Sequence, residues 1–188
     1  MVDMFVESTP SISKVLVPLP TIITTLSKEN IPNASTLLYL TAIHWKSPSV
    51  LMLMDSRHKT TRNLHDTFIF TLNVLKYSEL GKEIAYDVGS ISGNKTNKFN
   101  DLTFLEEATT QYDDFKWPPI INGSIIALHG IIVKEYNYQE QILFIGEIKA
   151  AKIVESLQEL VSDNRAELWR VIEELALTTA DIYNYLAE

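Results

Sequence analysis

Apolar residues recur along the chain in short runs broken by polar turns, and their spacing assigns strands and helices segment by segment. Val15 to Leu26, VLVPLPTIITTL, is β-branched and apolar. Pro18 and Pro20 restrict it to an edge strand, or to two short strands with a bend between them. After the turn SKENIPN, Asn33 to Thr36 begins the next strand, and His44 to Pro48 is a polar turn closing that segment. In Ser49 to Asp55, Val50, Met52 and Met54 alternate with Leu51 and Leu53, and both sets are apolar. This pattern predicts a strand covered on both faces, by a helix or by a second subunit.

Lys59 to His65 reads as the first turns of a helix, with Thr60, Thr61 and Asn63 at cap-like positions before Leu64. Tyr77 to Tyr86 predicts a short helix ending at Gly89, and Asp101 to Asp114 an acidic surface connection. Ser124 to Glu135 and Gln141 to Ile153 are long strand signals that pair antiparallel through the polar hairpin Tyr136 to Glu140. From Glu155 to Glu188, Leu157, Leu160, Val161, Leu168, Val171, Ile172 and Leu175 fall at three- and four-residue spacings. They form one stripe of a helical tail, with Asn164-x-x-Glu167 as a second helix start.

With 188 residues, 46% of them hydrophobic, the chain suits one compact domain with a substantial core. The division expected is a barrel-like body over residues 1–153 and a helical extension over 154–188, packed on that body or on a partner. No apolar run approaches the ~20 residues that span a bilayer. Met1 to Pro10 carries two acids and no base, unlike a signal peptide. The absence of cysteine removes disulfides, thiolate metal sites and cysteine catalysis, and fits a cytoplasmic protein. A formal net charge of -8 argues against a nucleic-acid protein, which needs a basic face.

Against that acidic background, SRHKTTR gathers Arg57, His58, Lys59 and Arg62 at a predicted helix start. An anion placed there would meet free backbone N–H groups, hydroxyls and cationic side chains together. A solvated helix start with ordinary surface charge is the competing account of this segment taken alone. HExxH, CxxC, GxGxxG, GxxxxGK[ST] and GxSxG are all absent. His44, His58, His65 and His129 lack metal-ligand spacing, so neither a metal site nor a catalytic residue is assigned.

A longer pattern decides between these accounts. Thr24-Thr25, Asn33 to Thr36, Pro48, Lys59-Thr60, Phe70, Asn73, Ser92-Gly93, Lys98-Phe99 and Gly146-Glu147 follow one another in an order that resembles the flavin reductase-like, FMN-binding split-barrel family, which includes flavoredoxins. The resemblance spans roughly residues 15 to 152. It implies a mainly β fold with helices, an antiparallel split β-barrel, forming a homodimer that binds FMN in a groove shared with the second subunit. It also implies a flavin oxidoreductase, which either reduces flavin with NAD(P)H or relays electrons to a partner protein as a flavoredoxin does.

By the same resemblance Thr24 and Thr25 lie beside the flavin, and Asn33, Ala34, Ser35 and Thr36 let backbone approach the ring. Tyr39, where the family often has Trp, packs on or near the cofactor or in the core. Lys59 and Thr60 are the leading phosphate ligands, an ammonium for charge and a hydroxyl plus amide for direction. Ser56 and Arg57 come second, and Asn73, Ser92 and Lys98 complete the set. Gly93 allows a positive-φ turn, and Lys98 reaches a flavin oxygen or covers the dimer rim.

The sequence also departs from the pattern. Asn97 replaces the usual Asp, and Glu140-Gln141 replaces the turn whose histidine faces the nicotinamide in the reductases. Glutamine cannot carry a titrating proton, which puts NAD(P)H use in doubt and leaves open a non-enzymatic flavin-binding or interaction module. A structural barrel that binds no flavin is the third alternative. All site expectations reduce to one spatial requirement: the NAST edge and the KT helix start must converge on one elongated groove.

Overall fold

A computed structural model describes residues 5–7, 21–44, 47–102, 111–112 and 115–157. In chain order the elements are β1 (Phe5–Glu7), β2 (Thr21–Leu26), β3 (Pro32–Leu37), β4 (Leu40–His44), β5 (Ser49–Asp55), α1 (Lys59–Thr67), β6 (Ile69–Leu75) and α2 (Glu79–Ser90). There follow α3 (Lys98–Asp101), β7 (Gln111–Tyr112), β8 (Phe115–Lys116), β9 (Ser124–Tyr138) and β10 (Gln141–Val154). The principal sheet is antiparallel, ordered β3-β2-β6-β9-β10-β5-β4, with β1 added on β10. This is the expected mainly β fold with helices, of split-barrel type.

β9 and β10 form the spine, and β5 joins them in the register Leu53↔Leu143. The predicted strand Ser49 to Asp55 is the observed β5. Val50 and Met52 are sealed in the core, whereas Leu51 and Leu53 are only half-buried. Their face borders an apolar hollow with Leu38, Tyr39, Leu40 and Leu143 that the described residues leave open.

Several expectations need correction. β2 is not an edge strand: it lies between β3 and β6, and all six of its residues are buried. Pro18 and Pro20, and with them the alternative of two short strands with a bend, lie outside the described residues. β4 occupies part of a segment read as strand end and polar turn, because its irregular pairing with β5 leaves no clean alternation. α1 is capped at His58 without a side-chain bond, and Thr60, Thr61 and Asn63 are buried within the helix. α2 runs through Gly89 to Ser90. The predicted tail is helical at 155–157, where Leu157 is buried; the rest of its stripe lies outside the described residues, as does most of the acidic connection.

Phe70 of β6 fills the centre of the main core, fully buried, opposite Gly130 on β9 and beside Gly146 on β10. A Cβ on Gly130 would lie 2.3 Å from Phe70 Cζ, and one on Gly146 2.6 Å from Phe70 Cε1. Both strands therefore carry glycine because an aromatic ring occupies the space of a side chain.

The Pro118-Pro119 segment is pinned across the sheet. Thr24 Oγ1 donates to the Pro119 carbonyl at 2.7 Å and Thr71 Oγ1 to that of Pro118 at 2.8 Å. Asn73 Oδ1 accepts from the Ile121 N–H at 3.0 Å. His129 lies 2.8 Å from Thr71 Oγ1 through Nδ1 and stacks on Trp117 at 5.3 Å. Burial, helped by Lys152, lowers its pKa to about 4. An unfolded chain whose histidine has a pKa near 6.5 therefore binds the proton more readily than the native one. Stability is complete above about pH 6.5 and falls as the pH drops towards 4, by about 3 kcal/mol in all. Denaturant titrations at pH 7 and pH 4 should show this excess acid sensitivity in the native protein and its absence in His129→Gln. An unchanged acid loss in the variant would assign it to other groups.

Candidate functional site

The loop from β5 into α1 uses its charges unequally. Asp55 accepts the Arg57 N–H at 2.8 Å and Arg57 Nε at 2.9 Å, and its other oxygen accepts Arg57 Nη2 at 2.6 Å. These bonds hold the Asp55 carboxyl well below the usual carboxylate range. Arg57 is thereby directed at its own loop. α1 begins with no acidic residue in its first turn and no side-chain cap, so its leading N–H groups and the positive end of its dipole are available to an anion.

β3 meets this helix start directly: Asn33 Nδ2 donates to Thr60 Oγ1 at 2.9 Å, with both residues buried. Asn33 Oδ1 is buried and has no partner. Gly93 lies against it, so close that a Cβ there would fall 2.1 Å away. Gly93 therefore serves close approach; its φ is not positive. The segment carrying Gly93 is fastened to α1 by Asn94, whose Nδ2 donates to the Arg57 carbonyl at 3.0 Å and whose Oδ1 accepts from the Arg62 guanidinium.

Lys98 enters the same space from α3 with 3% of its surface exposed. Its Nζ donates to the Ala34 carbonyl at 2.7 Å and the Val88 carbonyl at 2.6 Å, joining β3 to the last turn of α2. Burial, and then the charge of Lys59, lowers its pKa to about 8.

Two hollows of about 200 Å³ each result. The polar one lies between Asn33, Lys59, Thr60, Ser92 and Lys98, and no carboxylate lines it among the described residues. The apolar one lies between Ile23, Leu37, Tyr39, Leu53 and Gln141. Ser35, His58 and Thr60 line both, so the hollows adjoin. Together they reach the roughly 300–1,000 Å³ typical of small-molecule sites.

Of the residues expected at the site, Asn33, Ser35, Thr36, Lys59, Thr60, Ser92 and Lys98 line these hollows. The others are engaged elsewhere. Thr24 and Asn73 hold the Pro118 to Ile121 segment, and Thr25 Oγ1 accepts from Asn63. Ala34 is packed in the smaller core beside Ile22 and Ile84. The Ser56 N–H donates to the Glu140 carbonyl at 2.8 Å, and Arg57 pairs with Asp55. Sequence reasoning did not assign His58, which borders both hollows, or Asn94, which ties down their roof. The signal for His58 was its place immediately before Lys59, where a helix cap belongs.

The sequence profile of the flavin reductase like domain matches residues 18–167. An FMN-binding domain of a flavin reductases-like enzyme from Shewanella baltica superposes with a TM-score of 0.71 at 18% identity, over 84% of this chain and 81% of that one. A flavoredoxin from Methanosarcina acetivorans gives 0.62 at 22% identity, over 79% and 76%. An FMN-binding protein from Thermus thermophilus, solved with p-hydroxybenzaldehyde, gives 0.63 at 16%, over 75% and 74%. At these identities the likeness concerns the fold. No curated protein sequence matches the chain.

Proposed function

Because the chain belongs to the flavin reductase-like family, we propose that it binds FMN along the two adjoining hollows and acts as a flavin oxidoreductase. The observation that carries this reading is the Asn33–Thr60 hydrogen bond at the junction of a cationic, carboxylate-free hollow with an apolar one. FMN has the matching division, a phosphate at one end and a flat, largely apolar ring at the other. The unpartnered Asn33 Oδ1 is an acceptor to which a hydroxyl of the linking chain can donate.

In this reading Lys59 supplies charge to the phosphate, Thr60 its hydroxyl and amide, and Ser92 a further hydroxyl. Ser35 and Thr36 present the edge of β3 to the ring, while Leu53 and Tyr39 exclude water from it. Bound FMN would supply the hydride and electron transfer. The half-buried Leu51, Leu53 and Leu143, together with Tyr39, which is 67% exposed, form a face that a second copy would cover, completing the groove as a homodimer.

FMN titration tests the binding: quenching of flavin fluorescence is expected, and a colourless protein that leaves the FMN spectrum unchanged would overturn the proposal. A second reading, a flavin-binding module without the nicotinamide reaction, is favoured by Gln141, which lines the ring end and cannot exchange a proton. Mixing FMN-loaded protein with NADH and NADPH under anaerobic conditions separates the two. Prompt bleaching by either nucleotide identifies a reductase. Bleaching by a reduced carrier protein or chemical donor, with neither nucleotide effective, identifies a flavoredoxin-like relay or the module.

A further inference from the structure

We propose that Lys98 makes the polar hollow specific for a dianionic phosphate monoester, standing there as a buried cation whose counter-charge the ligand provides. The inference rests on the flavin reading of the site and adds which group selects the phosphate and how its binding depends on protons. Lys98 is almost wholly buried, yet its ammonium meets two main-chain carbonyls and forms no ion pair among the described residues. Two carbonyls satisfy two of its three donors, and no anion among the described residues compensates its charge, an arrangement that is costly without an anionic ligand nearby.

Among the described residues that line the hollow, the charges have one sign. α1 contributes Lys59, which acts on Lys98 directly. The lining residues of β3, the end of α2 and the 91–94 segment are uncharged. Two ammonium groups and a helix N-terminus suit a doubly charged terminal phosphate better than a singly charged diester. The Gly93 and Asn94 roof closes this end around such a terminus.

Binding and protonation are then linked. An anion beside Lys98 favours its charged form and raises its pKa by roughly one to three units above the value of about 8 in the free protein. Above that pH the complex forms only by taking up a proton, and affinity falls by up to about tenfold per pH unit. The phosphate of FMN, whose second ionisation lies near 6, stays dianionic throughout.

The experiment measures dissociation constants of FMN, riboflavin and inorganic phosphate from pH 7 to 9.5 for the native chain and for Lys98→Met, and follows the Lys98 Nζ resonance of the native chain with and without phosphate. FMN and phosphate are expected to weaken above pH 8 in the native chain, with riboflavin nearly level. Lys98→Met should remove that slope and weaken FMN by about 30-fold at pH 7, leaving riboflavin within about threefold. Phosphate should move the Nζ titration upward by about one unit or more. Equal losses of FMN and riboflavin in the variant, an FMN affinity level to pH 9.5, or an Nζ titration insensitive to phosphate would each overturn the proposal. If the variant does not fold, the Nζ titration decides. Should neither flavin bind while phosphate binds and shifts Lys98, the flavin reading falls and this inference stands; should phosphate not bind either, both fall.

Discussion

Replacing Lys59 and Thr60 together by alanine is expected to weaken FMN binding by about two orders of magnitude and riboflavin binding by less than about threefold. Each lost charge-assisted bond to phosphate is worth roughly 1.5–3 kcal/mol, and every 1.4 kcal/mol is tenfold in affinity. The selectivity is possible because both residues stand at the polar end: Lys59 forms no ion pair among the described residues, and α1 has no competing acid in its first turn. Thr60 also accepts the Asn33 bond, so Lys59→Ala alone should show the cleaner separation, about tenfold or more on FMN and none on riboflavin. Fluorescence titrations with the two ligands measure it. Equal losses would place the phosphate elsewhere and leave the groove reading without its anchor.

Gly146→Ala is expected to cost about 3 kcal/mol of stability, and Phe70→Leu in the same chain to recover much of that loss. The added methyl meets the Phe70 ring at 2.6 Å, and the next nearest atom, Val50 Cγ2, is at 3.4 Å. Overpacking a sealed core costs about 1–3 kcal/mol or more, and shrinking the opposing side chain is its direct remedy. Gly130→Ala should behave differently. Its methyl would lie 2.3 Å from Phe70 and also 2.9 Å from the Glu147 carbonyl oxygen, and the backbone cannot retreat as a side chain can. Denaturant unfolding of the single and paired variants gives the coupling energies. A Gly146–Phe70 coupling near zero would mean that the ring does not set the glycine requirement.

The sequence was most informative where its signals were local. Pro48 and the polar Ser56-Arg57 bracket β5, and the polar tip between β9 and β10 fixes their hairpin. Convergence of Asn33 and Thr60 followed from the family pattern, since residues 27 apart declare no contact. Other roles were hidden for the same reason. Thr24 pairs with a carbonyl 95 residues away and Asn73 with an N–H 48 away. Both serve to secure the Pro118 to Ile121 segment, a demand that hydroxyl and amide residues read in isolation do not express. The family pattern has Lys98 reach a flavin oxygen or cover the dimer rim, and composition gives no hint that its ammonium will be buried between two carbonyls. Arg57 and Arg62, counted with the basic cluster, are largely engaged with Asp55 and Asn94.

The Asn94 tether is the lightest fastening around the polar hollow. Its bonds to Arg57 and Arg62 are exposed, whereas the sheet beneath is held by a sealed core, and exposed bonds part locally long before a core does. A ligand held in the polar hollow would then leave by the parting of one short segment, with every strand still in register. Its residence time would be set at the rim, apart from how firmly the protein is folded.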